Sequence, residues 1–200
     1  MLLMGQALHA VDAALASQDA ARLASLLGGE MMIPAPVFPA PSHEKLLRGL
    51  EIVENMLAVL CGSSVSIREY GQEALQYFSG AEGAFSRYEA AAEHFSAVIP
   101  QWEIWLEHLL VNHMYFVQFP FQDRPISLRD EYLSLVAVYA LLRFLLIGCL
   151  AETGGVQRAV DVAAAAFRLV DHTSFDLYVA PLMHDLGCDD WRHLRLLLSL

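Results

Sequence analysis

Leu133-Ser134-Leu135-Val136-Ala137-Val138-Tyr139-Ala140-Leu141-Leu142-Arg143-Phe144-Leu145-Leu146-Ile147-Gly148-Cys149-Leu150 is the most apolar run of the sequence. Its 18 residues carry one charge, Arg143, and come close to the length that crosses a bilayer. Two features argue for a buried central helix instead. Arg143 lies near the middle of the run, where a charge costs at least about 2.5 kcal/mol on insertion scales. The flanks, Arg129-Asp130-Glu131 and Glu152, are mainly acidic and give no positive-inside signal. A helix that is apolar on every face, from about 127 to 152, is then the core of a compact all-α bundle, and no membrane insertion is expected.

On its N-terminal side, Ser127-Leu128-Arg129-Asp130 resembles a capping box with Asp in place of Glu. On its C-terminal side, Gly154-Gly155 is the expected stop. Beyond it, residues 156–170 form the next helix, and two short helices around 176–186 and 189–198 finish the chain. Before the central helix, 101–118 is rich in aromatics and ends at Phe119-Pro120-Phe121. Further back, 84–99 ends at Pro100. Ser66-Ile67-Arg68-Glu69 reads as the capping box of a helix to about Phe78, closed by Gly80 and Gly83. Apolar Leu46, Leu47, Leu50, Val53, Leu57 and Leu60 recur at helical spacing from Ser42, a plausible N-cap, to about Cys61. Two short helices, about 2–15 and 18–27, open the chain. Four prolines at 34, 36, 39 and 41 form an extended connector joining that pair to the main bundle. The expected organisation is one all-helical domain over 1–200.

Composition bounds the function. With 200 residues, 56% of them hydrophobic and 18% charged, the chain is long enough for a sizeable core and is not disordered. A net charge of −11 gives no field-driven attraction to nucleic acid. Cys61, Cys149 and Cys188 are odd in number and lack C-x-x-C spacing, which reads as reduced structural thiols of a cytoplasmic protein. Met1-Leu2-Leu3-Met4-Gly5-Gln6 has no basic region of the kind that opens a signal peptide. No H-E-x-x-H occurs and no Glu is followed by His at i+3, so no metal site is expected. No thiol or phosphate-loop motif stands out for catalysis.

Three polar groupings remain. Glu107 and Asn112 sit in an apolar, aromatic helix, where a polar side chain is either bonded in the core or lines a pocket. Arg143 should need a carboxylate if buried, with Glu107 or Asp171 as candidates. Arg168 and His172 are i,i+4 neighbours beside Asp171, able to bind an anion or carry a proton.

The segment Trp105-Leu106-Glu107-His108-Leu109-Leu110-Val111-Asn112-His113-Met114-Tyr115-Phe116, with Phe119-Pro120-Phe121, resembles a helix and aromatic-Pro turn of the flagellin lysine-N-methylase family. The likeness continues through Glu131-Tyr132-Leu133, Tyr139 to Arg143 and Leu146-Ile147-Gly148. It ends on Phe167-Arg168 and His172, and the opening Gly5-Gln6-Ala7-Leu8-His9 is similar to the start of that family's C-terminal half. The resemblance implies methyl transfer from S-adenosylmethionine to lysine side chains of flagellin, in the bacterial cytoplasm. His108 stands where the family pattern has Asn, and His113 where it has Tyr.

Family members also carry an N-terminal cysteine-rich region thought to hold an iron–sulfur cluster. Nothing in this chain corresponds to it, so no cluster is expected here. The chain reads as the C-terminal half of a longer protein or a short relative, and any lysine methyltransferase activity is expected to need the cysteine-rich module. The resemblance then implies a substrate-recognition or scaffold half. Glu107 and His172 are its candidate proton-handling residues, and Asn112, Tyr132, Arg143 and Arg168 its candidate substrate- or cofactor-binding residues. Two alternatives come from other classes. One is a non-catalytic helical interaction module, possible as a homodimer, exposing an aromatic groove around Trp102, Trp105 and Phe116. The other is an apolar-ligand pocket among the helices.

Overall fold

The computed structural model describes residues 2–28, 42–60, 65–80, 83–120 and 126–198. Among them there are ten helices and no strand: α1 (Leu2–Ala16), α2 (Ala20–Leu27), α3 (His43–Leu60), α4 (Val65–Phe78), α5 (Ala84–Val98), α6 (Trp102–Phe116), α7 (Leu128–Cys149), α8 (Val156–His172), α9 (Phe175–Asp185) and α10 (Trp191–Leu198). The Pro-rich connector at 34–41 lies outside the described residues.

The most apolar run is the axis of the molecule. Seventeen of the 22 residues of α7 are buried, and α3, α4, α5, α6, α8, α9 and α10 all pack on it. By length and composition α7 could cross a membrane, yet 89% of its apolar window is covered by its own neighbours. Burying Leu133, Leu141, Leu145 and Ile147 completely contributes about 2 kcal/mol apiece, which is the force that draws seven helices onto one. α1 and α2 pair with each other, and α1 rests on α10.

Local chemistry sets the ends. Ser127 caps α7, its hydroxyl oxygen accepting from the Asp130 amide at 3.1 Å while the hydroxyl donates to the Asp130 carboxylate at 2.8 Å. Here Asp is too short to reach back to the N-cap amide, as Glu does in a capping box, and binds the hydroxyl instead. α7 stops at Cys149, three residues short of the expected end, because Leu150 closes it and Arg158 donates to the freed Cys149 carbonyl at 2.8 Å. Arg158 also pairs with Glu73 and lies over the Tyr70 ring, tying α7, α8 and α4 together. α8 continues two residues past Val170, so Asp171 and His172 belong to its last turn. α4 begins at Val65, which places Ser66 inside the first turn rather than at the N-cap. The Leu46 amide donates to the Ser42 carbonyl at 2.9 Å, the first helical bond of α3.

A second tie binds the start of α7 to the end of α9. His184 donates from Nε2 to Asp130 at 2.7 Å and from Nδ1 to Asp189 at 2.9 Å, so the imidazolium is the form that satisfies both carboxylates.

Candidate functional site

α6 is apolar on nearly all sides, but the bundle fully buries only one stripe of it, Leu106, Leu110 and His113, with Trp102, Leu109 and Met114 half-buried beside it. Ile104, Trp105, Val111, Tyr115 and Phe116 are all exposed. α8 lies beside α6 with the C-terminal ends together, since His113 meets Asp171 and Phe116 meets His172 edge-on at 6.4 Å. Small residues on the facing side of α8, Ala159, Ala163 and Ala164, leave room between the two helices. The result is a groove of about 640 Å³, floored by Leu146 of α7 and bounded at the other end by Phe95 and Ile99.

Its walls are mainly apolar: Trp102, Trp105 and Phe116 from α6, Val160 and Phe167 from α8. The polar side chains that line it, tryptophans aside, are His108, Asn112, His113 and Asp171, with no Lys or Arg among them. His113 is the one of these that is buried; the other buried polar residues described are Glu131 and Ser134. Its Nδ1–H donates to Asp171 Oδ1 at 2.7 Å, and its ring lies 5.9 Å from that of Phe167. A carboxylate can only accept, so His113 Nδ1 carries the proton of this bond, and in the neutral ring the lone pair is then on Nε2. No described residue hydrogen-bonds Nε2.

The residues singled out in the sequence scatter relative to this groove. Asn112 lines it. His172 is exposed at its dyad end, against Phe116. Arg168, one turn earlier on α8, is exposed and is not a lining residue. Glu107 is exposed and also lies off the groove, because five residues carry it about 140° around α6 from Asn112. Tyr132 is buried at a different cavity of about 570 Å³, between α7, α1 and α10, and burial pushes its phenol pKa up.

Arg143 corrects an expectation. Neither Glu107 nor Asp171 pairs with it; its guanidinium stacks on Trp102, a wall of the groove, and Asp171 is engaged by His113. The His113–Asp171 pair was not singled out in the sequence as a functional unit. A signal exists: Leu106, Leu110 and His113 recur at i, i+4 and i+7, which makes His113 the polar member of a buried stripe.

Among the described residues, no three His, Cys, Asp or Glu side chains come together in a way that could hold a metal ion. The described thiols are buried. Burial pushes Cys149 up to about 12, and burial also raises Cys188 despite nearby Arg48.

A family model described as the FliB lysine N-methylase C-terminal domain matches residues 1–197. No curated protein and no solved structure matches the chain.

Proposed function

The chain belongs to the FliB lysine N-methylase C-terminal domain family, and on that premise we propose that it is the substrate-recognition half of a flagellin lysine N-methylase, receiving a lysine-bearing segment of flagellin in the α6–α8 groove. The observation that carries this reading is the groove itself. Aromatic walls suit the lysine methylene stem, and a carboxylate-backed histidine stands at one end for the ammonium. No Lys or Arg side chain lines the groove itself, and Arg143 lies behind the Trp102 wall.

The other singled-out residues take modest roles. Asn112 hydrogen-bonds the incoming backbone, and His172 closes the dyad end beside Phe116. Glu107, with Glu103 one turn before it on the exposed side of α6, contributes long-range attraction, as does the net charge of −11. Arg168 sits one turn from His172, available to a flagellin carboxylate. Tyr132 and Arg143 act through the core, the latter by backing Trp102. The reaction belongs to the bacterial cytoplasm, before flagellin is exported.

S-adenosylmethionine is the methyl donor that this family implies, and it would supply an activated methyl group. It carries a carboxylate and a ribose diol that need a cation and a carboxylate. The groove lining offers no Lys or Arg, and its one carboxylate is held by His113. The groove residues do not fit the donor, whose site we assign elsewhere in the enzyme.

Calorimetric titration of the purified chain with flagellin tests the reading. Binding is expected, weakened at least about tenfold by Trp105→Ala combined with Phe116→Ala, as for aromatic anchors of an interface. No binding, or binding indifferent to both substitutions, refutes it.

A further inference from the structure

We propose that His113, held by Asp171, is the proton acceptor for a lysine ammonium seated in the α6–α8 groove. The inference rests on the groove reading above and assigns a step that neither His172 nor Glu107 is placed to perform.

A lysine must lose a proton before its nitrogen can attack a methyl group. Three features of the dyad suit that step. Asp171 accepts from Nδ1–H at 2.7 Å, so the neutral ring presents a lone pair at Nε2, and no described residue hydrogen-bonds that atom. The His113 side chain is 2% exposed while Asp171 is 20% exposed, so the acceptor is largely shielded from water and the balancing charge is adjacent. The walls around it, Phe116 and Phe167 with Leu109, are apolar and disfavour the ammonium form of an entering lysine. His172 by contrast is exposed and touches Phe116, and Glu107 does not line the groove.

The step balances within the site. One N–H bond of the ammonium breaks and its electron pair stays on the lysine Nζ, while the proton bonds Nε2 of His113. The imidazolium charge is offset by the Asp171 carboxylate, and the neutral amine is ready for methylation.

The ionisable and charged groups around the pair are Asp171, Arg168 and His172 on α8, His108 on α6, and Arg143 on α7, stacked on Trp102; α5 contributes apolar Phe95, followed by Ile99 just past its end. The test is therefore a pH series of flagellin binding by the intact chain, with each histidine varied. Affinity is expected to fall up to about tenfold per pH unit once His113 becomes protonated, because an imidazolium repels the ammonium and cannot accept. His113→Gln keeps a donor to Asp171 and flattens the profile. His108→Gln and His172→Gln keep the profile, whatever they do to affinity, and lysine-acetylated flagellin shows no pH dependence.

Nitrogen-15 NMR of the unsubstituted chain gives a second reading that needs no variant: neutral His113 carries its proton on Nδ1. A proton on Nε2, or a profile that survives His113→Gln in a folded variant, overturns the inference while leaving flagellin binding intact. Failure to bind flagellin at any pH overturns both this inference and the groove reading.

Discussion

The guanidinium carbon of Arg143 lies 4.7 Å from the centroid of the Trp102 ring. A cation in the middle of the most buried helix is thereby received by an aromatic face instead of a carboxylate, and its Nε makes no hydrogen bond with any described residue. Losing the stacking costs about 1 kcal/mol, offset by removing a buried unpaired donor, so Arg143→Met should change stability by less than about 1 kcal/mol. Trp102→Ala should cost about 3 kcal/mol, because it opens a gap beside Phe95 and exposes the cation's neighbours. Urea denaturation of both variants checks the order; the reverse ranking would show that the charge, not the ring, holds this corner.

Gly148 lets α7 approach α4 closely. A Cβ added there would lie 2.8 Å from the Ala74 Cα and 3.2 Å from the Phe78 ring, and a backbone atom cannot step aside. Gly148→Ala is expected to destabilise by about 2 kcal/mol, more than the roughly 1 kcal/mol that alanine gains in helix propensity. At Gly71 the added carbon meets only the tip of Leu57, which can rotate. Gly71→Ala should therefore be close to neutral in the same thermal melt.

The His184 cluster makes stability depend on pH in two directions. The hydrogen bond to Asp130 raises the His184 pKa above its ordinary 6.5, so its contribution is complete below 6.5 and is lost as pH rises through the folded value. Burial works against the Asp130 carboxylate, but hydrogen bonds from His184 and Ser127 outweigh it and hold its pKa below 3.8. That contribution is present above 3.8 and lost as pH falls further. The cluster thus supports the fold most between those two pH values. With His184 about 40% exposed, the gain is about 1 kcal/mol or less. The melting temperature of His184→Gln should match that of the unaltered chain at pH 9 and fall below it at pH 6.

Cys149 and Cys188 should resist iodoacetamide in the native chain at pH 8. Burial holds the Cys149 thiol near 12, and its S–H donates to the Tyr70 carbonyl at 3.4 Å. Peptide mapping after labelling in denaturant, against labelling without it, reads this directly. Rapid native labelling of Cys149 would mean that the seam between α4 and α7 opens.

Tyr88 is buried and its hydroxyl has no hydrogen-bond partner among the described residues; burial pushes its pKa up to about 12 despite the Arg143 charge nearby. Tyr88→Phe is expected to be neutral or to stabilise by up to about 1 kcal/mol, measured by the same denaturation. A loss above that range would reveal a bond the hydroxyl makes in solution.

The bundle was legible because its central element needs no partner to be recognised. Eighteen residues with one charge can only be a membrane span or a core helix, and the acidic flanks separate the two. Helix ends were legible where a side chain makes them, as at Ser127, and shifted where a distant residue does, as when Arg158 takes the Cys149 carbonyl. The groove was harder to read for a physical reason. α6 is apolar on nearly all sides, so periodicity cannot say which face the bundle covers, and Glu107 and Asn112 look equivalent until α8 is in place. The His113–Asp171 bond joins positions 58 apart, beyond the reach of any local spacing rule.

α6 is rooted in the bundle by the three buried side chains Leu106, Leu110 and His113, and one of those roots is a hydrogen-bonded ring rather than hydrocarbon. α7, enclosed by seven neighbours, has no comparable weak side. The wall of the groove is thus far cheaper to lift than its floor, so amide exchange should release α6 well before α7. A guest entering between α6 and α8 can widen the cleft by tilting one outer helix, without disturbing the axis on which the rest of the molecule is wound.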